Sequence, residues 1–284
     1  MTVDVEEYFQ VSAFADRISP QDWPSLPSRV TASMDRILSI FDEYGVSATF
    51  FVLGWIAEQH PELIKRISAQ GHELASHGYS HVRVTEQSPQ QFADDVKRTK
   101  AIIEELTGIA VKGYRAASFS INETNLWAHD VLAELGYEYS SSIYPSNHDH
   151  YGMPSASRFA FLPRPGGVLE IPVTTVVSGG RRWPAGGGGY FRLLPYRYFS
   201  WALQRVNRVD GRAVIFYFHP WEIDPGQPRI PHLSPRTRFR HYVNLTRFEG
   251  RLRRLIKDFQ WGPLVNVFES ERARCEPIPE ISLA

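Results

Sequence analysis

Apolar residues along this chain recur with two different periods. Short runs rich in β-branched and aromatic residues read as strands, and between them lie longer stretches whose apolar positions return at helical spacing. Residues 1–5 are the first predicted strand. A Pro-rich stretch (Pro20, Pro24, Pro27) leads to a helix over 28–44, where Val30, Met34, Ile37, Leu38 and Phe41 share a face and Gly45 ends it. Residues 48–53 read as a buried strand and 73–76 as another. Helices over 61–69, 89–106 and 123–135 are each stopped by a glycine (Gly71, Gly108, Gly136), with short strands after them. The pattern then degrades into a Pro/Gly-rich region over 144–190, which ends in Gly186 to Gly189 and is long enough for a connection to suggest a substrate loop or an unstructured excursion. Order returns with a helix over 195–206, a strand over 213–218, a polar helix over 239–259 and a last strand over 264–268. Strands alternating with helices predict an α/β fold with a mostly parallel sheet and crossover helices. We read 1–284 as a single domain, with a loop-rich insertion near 144–190 and a basic helical segment near 229–260.

Composition narrows the function. The 31 Lys and Arg balance the 31 Asp and Glu, so charge gives no reason to expect a nucleic-acid partner. Between Arg229 and Lys257, however, nine basic residues face one acid, Glu249. The plain reading is an amphipathic helix whose Phe248, Leu252, Leu255, Ile256 and Phe259 pack inward while the arginines meet water. The sharper one is peripheral contact with an anionic membrane, through Arg236, Arg238 and Arg240 among others. Cys275 stands alone, which excludes an internal disulfide and a cysteine-rich metal site. No apolar run approaches a membrane span, and Met1 leads straight into a strand, so the expectation is a cytoplasmic protein, peripheral to the inner membrane if the basic segment binds it. Nothing in the sequence sets the oligomer.

The chemistry gathers at predicted strand ends, where parallel α/β sheets place their sites. His77 and His81, in His77-Gly78-Tyr79-Ser80-His81, follow one strand; the acidic run Asp4-Val5-Glu6-Glu7 closes the first; Arg115 follows Gly113-Tyr114; His219 follows the run ending in Phe218. Two imidazoles and a carboxylate suit a catalytic divalent ion with an open position for water. The spacing alone is common by chance, Gly78 argues against a regular helix, and the Glu that zincins carry after their first His is absent. Taken singly, Asp4 reads as a turn carboxylate, Arg115 as a surface ion pair and His219 as a core histidine ahead of Pro220. Their joint appearance at successive strand ends is harder to ascribe to packing.

At these residues the chain resembles a known family. Residues 48–54, then His60-Pro61-Glu62-Leu63-Ile64, then residues 71–81 are similar to the NodB-homology polysaccharide deacetylases, carbohydrate esterase family four. The opening 2–9 and the block 218–225 further resemble the subgroup found beside exosortase and exopolysaccharide gene clusters. The resemblance implies a distorted (β/α) barrel of about seven strands, one divalent metal (zinc, with cobalt, nickel or manganese as alternatives), and removal of N-acetyl groups from a polysaccharide or its lipid-linked precursor. It implies Asp4 as general base, Glu6, His77 and His81 as metal ligands, Arg115 as the arginine that orients the base and His219 as general acid. Glu6 stands two residues after Asp4, and alternate strand residues share a face, so both can enter one site where Val5 cannot. The usual aspartate partner of the acid histidine is missing from Tyr139-Ser140-Ser141-Ser142; its task falls to Glu222 or Asp224, or is dispensed with, which would lower the pKa of His219. A backbone N–H near Ser118 would complete an oxyanion hole, and Trp221, with Trp183 and Tyr190, would offer faces to an N-acetylated glycan. Two rivals are a metal-independent C–N hydrolase of allantoinase-like type and an inactive sugar-binding module on the same fold.

Overall fold

The computed structural model describes residues 1–148, 151–272 and 275. Its frame is a sheet of seven parallel strands in the order β6-β5-β4-β3-β2-β1-β9. These are β1 (Thr2–Val5), β2 (Thr49–Val52), β3 (Glu73–Ser76), β4 (Gly113–Tyr114), β5 (Tyr139–Ser140), β6 (Leu169–Glu170) and β9 (Tyr217–Phe218), with an antiparallel hairpin of β7 (Thr175–Ser178) and β8 (Arg181–Pro184) set apart. The crossovers are made by α1 (Val30–Glu43), α2 (Gly54–Gln59), α3 (Pro61–Ala69), α4 (Pro89–Thr107) and α5 (Trp127–Glu134). Later come α6 (Gly188–Leu193), α7 (Tyr196–Arg205), α8 (Pro235–Tyr242), α9 (Leu245–Asp258), α10 (Leu264–Val267) and α11 (Glu269–Arg272).

Side-chain alternation divides the core in two. Val3, Val5, Phe50, Val52 and Leu74 pack outward with Met34, Ile37 and Phe41 of α1, as the period-2 pattern requires. Phe51 and Ala75 instead belong to a second cluster with Tyr139, Leu169, Ile171 and Ile215. The sheet curls into a NodB-like (β/α) barrel, and its open side, between β6 and β9, is filled by irregular chain. Val173 N–H donates to Ile143, Ala185 N–H to Thr174 and Tyr217 N–H to Gly186. The segment expected to be a loop-rich insertion over 144–190, of which residues 149 and 150 lie outside the described residues, therefore supplies the sheet's sixth strand and the chain that closes the gap.

Three expectations are corrected. Residues 264–268 form helix α10 and not a strand: Pro263 precedes the first turn, and Leu264 and Phe268, four apart, enter the Phe51 cluster while Leu264 N–H donates to Thr49 Oγ1 at 2.7 Å. The strand over 213–218 pairs only at Tyr217 and Phe218. The helix over 239–259 breaks at Asn244, which takes a left-handed φ of 53° between α8 and α9. The apolar face of α9 packs as expected, with Phe248, Leu252, Leu255 and Ile256 buried. Several arginines of this segment are engaged by the protein itself: Arg251 donates to the carbonyls of Phe191, Arg192 and Leu194, and Arg253 pairs with Glu43 and Glu249. No described helix is long and apolar enough to cross a membrane.

Candidate metal and acid–base site

Strand register sets the site. Val5 pairs with Val52, Val52 with Ser76, Ser76 with Tyr114 and Tyr114 with Ser140, so the next residues along three of these strands, Glu6, His77 and Arg115, emerge at one level of the barrel mouth. Val3 pairs with Phe218, which places His219 level with Asp4. Asp4 and Glu6 enter the same mouth, as alternation requires. Both line one cleft of about 730 Å³ together with His77, His81, Ser118, His219 and Trp221.

Arg115, fully buried, organises the Asp4 carboxylate. Its Nη1 donates to Asp4 Oδ1 at 2.5 Å and to Thr2 Oγ1 at 2.9 Å, Nε to the Ser141 carbonyl at 3.1 Å and Nη2 to Ser141 Oγ at 3.0 Å, while the guanidinium lies over the Phe51 ring. Burial alone would raise the Asp4 carboxyl; the Arg115 charge, helped by that of His219, outweighs it and holds the carboxyl below the usual range. Asp4 is thus an anion in the ordinary pH range, with Oδ2 turned toward His219.

The metal candidates are Glu6, His77 and His81, whose donor atoms all lie within 4.8 Å of one another. The Arg115 carbonyl can only accept, so its 2.8 Å contact with His77 Nδ1 places the proton there and leaves the Nε2 lone pair for the site. His81 Nε2 lies 3.1 Å from Glu6 Oε2. Burial lowers the pKa of His77, and takes that of His81 to about 4 despite Glu6, so both rings are neutral, the state a ligand needs. Trp221 Nε1 donates to Glu6 Oε1 at 3.2 Å, whereas Oε2 is buried with no hydrogen bond among the described residues. An orphaned carboxylate oxygen facing two neutral imidazoles fits a divalent cation.

The turn that carries the histidines is fixed by α4. Tyr79 N–H donates to Asp95 Oδ1 at 2.7 Å, and Gly78, at φ 74°, passes so close that a Cβ there would stand 2.8 Å from Asp95 Oδ2. His81 itself adopts φ 56°, an uncommon conformation for a residue with a side chain, which brings its ring back to the cleft. Glu7, the neighbour of Glu6, points the other way and caps α1, accepting from Ser28 Oγ and from the N–H groups of Arg29 and Val30 at 2.5, 2.9 and 3.1 Å.

His219 completes the site. Its Nε2 lies 3.5 Å from Glu6 Oε1 and 3.9 Å from Asp4 Oδ2. On the far side Nδ1 meets Glu222 Oε1 at 2.9 Å, so Glu222 is the carboxylate partner, and Asp224 is engaged by Arg29 at 2.8 Å instead. Of the alternatives, Glu222 takes the place of the missing aspartate, and the pKa that would fall without a partner rises instead: burial opposes protonation, but Glu6 and Glu222 outweigh it and raise His219 to about 9. Trp221 stacks on the imidazole with centroids 5.0 Å apart.

Ser118 stands in the cleft wall with φ 54°, its hydroxyl 2.5 Å from Ser12 Oγ. Of the aromatic residues expected to face a sugar, Trp221 lines the cleft, whereas Trp183 lies on the β7–β8 hairpin at 46% exposure and Tyr190 packs against the main core. The cleft takes its other aromatic faces from Phe9, Trp23, Phe119, Tyr151 and Tyr217. These residues and Ser12 are not legible in the sequence, because a cleft drawn from distant segments has no local periodicity.

Comparison with known proteins places the chain's fold and part of its sequence among polysaccharide deacetylases. Residues 22–140 match the family model described as Polysaccharide deacetylase, and residues 141–269 match one described as Domain of unknown function (DUF3473). The peptidoglycan-N-acetylglucosamine deacetylase of Bacillus cereus is 35% identical over 94 residues, which are 33% of this chain and 34% of that protein. The chitooligosaccharide deacetylase of a Bradyrhizobium species is 33% identical over 97 residues, 34% of this chain and 42% of that protein. The match thus spans less than half of either relative. A crystal structure from Mycobacterium smegmatis, of a protein assigned to the polysaccharide deacetylases, shares the fold at a TM-score of 0.61 and 24% identity, covering 99% of this chain and 93% of that one. Residues 22–140 of the chain are thus similar to the polysaccharide deacetylases.

Proposed function

We propose that the chain hydrolyses the N-acetyl groups of an N-acetylated glycan, with one divalent metal ion, zinc in the first instance, held by Glu6, His77 and His81. The observation that carries this reading is the meeting of a charged carboxylate and a charged imidazole, Asp4 Oδ2 and His219 Nε2, 3.9 Å apart beside the three donors. Relatives named for deacetylating peptidoglycan and chitooligosaccharides support the substrate class.

An amide carbonyl is weakly electrophilic and its nitrogen leaves badly, so hydrolysis needs a water deprotonated and a proton supplied. When bound, the metal polarises the carbonyl and acidifies water. Asp4, kept anionic by Arg115, takes the water's proton; His219, kept cationic by its carboxylate neighbours, gives one to the departing nitrogen. The backbone N–H of Ser118 is the candidate donor to the oxyanion, an interaction worth roughly 3 kcal/mol in other acyl-transfer enzymes. The indole of Trp221, stacked on His219, holds Glu6 by its N–H. We read the regions on either side of residue 140 as one catalytic unit, since the base, the metal donors and the acid come from both.

The donor triad favours this reading over a metal-independent C–N hydrolase, and the paired base and acid favour it over a binding module. Acetate release from chitooligosaccharides and from peptidoglycan, measured alongside metal content, tests it: no acetate from any N-acetylated glycan at one bound metal ion would refute it.

A further inference from the structure

The region similar to the polysaccharide deacetylases ends at residue 140, yet the proton donor of the proposed reaction stands at 219, and the chain around it is built for one purpose. Glu222 and Arg192 form an ion pair of 2.7 Å with side-chain exposures of 0% and 1%. Each Glu222 oxygen faces donors: Oε2 accepts from Arg192 Nε, and Oε1 accepts from both the backbone N–H (3.2 Å) and Nδ1 (2.9 Å) of His219. Arg192 is itself seated. Nη1 donates to the carbonyls of His241 at 2.7 Å and Val243 at 2.9 Å, and Nη2 to that of Arg240 at 3.2 Å. The glycine run makes the space. A Cβ on Gly188 would stand 2.2 Å from Glu222 Oε1, and one on Gly187 would stand 2.8 Å from the Tyr217 hydroxyl oxygen.

We propose that Arg192, seated by the end of α8 and given room by Gly188, is a positioning residue for His219: it fixes the Glu222 carboxylate that aims the imidazole at the leaving nitrogen. The glycine run over 186–189, which suggests a substrate loop in the sequence, thereby serves the proton donor. A buried ion pair is weak evidence for stability alone, since well-packed apolar residues often replace one without loss. What sets this pair apart is the third partner, because the other oxygen of the same carboxylate takes two hydrogen bonds from His219. The inference rests on His219 as proton donor to an amide nitrogen.

The test uses the full chain with Arg192→Gln, Arg192→Lys and Gly188→Ala, assayed on an N-acetylated oligosaccharide and on 4-nitrophenyl acetate. The phenolate leaves without a proton; the amine does not. Positioning of a general acid predicts that amide kcat falls roughly 100-fold in Arg192→Gln and Gly188→Ala, at least about tenfold more than ester kcat, with KM changing less than about threefold. Arg192→Lys, which keeps the charge, should recover part of the loss and stands in if the other variants fold poorly. Equal losses on both substrates would overturn the proposal. Crystal structures of Gly188→Ala and Arg192→Lys give a second reading that needs no turnover: the His219 ring should leave its place beside Glu6, and a ring unmoved in both overturns the proposal. A parent chain that releases no acetate defeats the proposed function instead, and the ring position still decides this one.

Discussion

The carbonyl oxygen of Arg115 lies 2.8 Å from Nδ1 of His77, while the guanidinium of the same residue holds Asp4. One residue at one strand end thus fixes the tautomer of His77, a proposed metal ligand, through its backbone and the charge of Asp4, the proposed base, through its side chain. The two tasks separate on substitution. Arg115→Lys should lower turnover roughly 100-fold by loosening Asp4, yet leave metal affinity within about threefold, because the carbonyl stays. Isothermal titration with zinc, run beside the turnover assay, checks this; metal affinity falling in step with turnover would show that the side chain, not the backbone, supports His77.

Glu6 and Glu7 are neighbours with opposite duties. Glu6→Ala should cost metal affinity at least about tenfold, through loss of a charged ligand, with little change in the fold. Glu7→Ala should instead keep the metal and cost stability of about 1–2 kcal/mol, because the N–H groups at the start of α1 lose their acceptor. Metal content and denaturant midpoints of both variants decide it, and the reverse pattern would transfer the ligand role to Glu7.

The turn between the two histidines predicts an effect with no ligand touched. Gly78 takes φ 74° and a Cβ there would meet Asp95. Gly78→Ala should therefore displace the turn and weaken zinc binding roughly tenfold, although both imidazoles remain. Unchanged affinity in a folded variant would mean that the His81 conformation does not depend on this contact.

Asp95 also sets a pH dependence away from the metal donors. Burial raises its pKa to about 6, against only partial relief from the Tyr79 N–H and Arg98. A raised carboxyl pKa means that the folded chain binds the proton more tightly than the unfolded one, so this contribution to stability is present at low pH and is lost as pH rises through about 4 to 6. Asp95→Asn should remove that dependence, leaving the variant about 2 kcal/mol more stable relative to the parent at pH 8 than at pH 4. Equilibrium unfolding of both proteins across this range measures it; a constant difference would place the carboxyl pKa in its ordinary range.

Much of this arrangement is legible in the sequence because it follows short-range rules. The amphipathic face of α1, the helix stop at Gly108 and the alternation of Asp4 and Glu6 need only local periodicity, and the strand ends locate His77, Arg115 and His219. What is not legible depends on partners far along the chain. Val265 and Val267 make residues 264–268 look like a strand, and only the barrel floor, with Phe51 and Thr49 waiting, selects the helix. Glu222 is three residues from His219 and was one of two candidates, but nothing near either residue indicates Arg192, thirty positions away and reached across a glycine run. The aromatic wall of the cleft is hidden for the same reason: Trp23, Phe119 and Tyr217 meet only once the sheet has curled.

In the proposed reaction, one metal ion and the Asp4 carboxylate act together on an N-acetyl group. The most direct measurement is acetate released from chitooligosaccharides by the metal-stripped chain as zinc is added back, with Asp4→Asn treated in parallel. The parent's activity should rise to a break at one equivalent of zinc, while Asp4→Asn binds the same equivalent and turns over roughly 100-fold more slowly or not at all. Acetate release that ignores zinc, or an Asp4→Asn chain as active as its parent, would contradict the account.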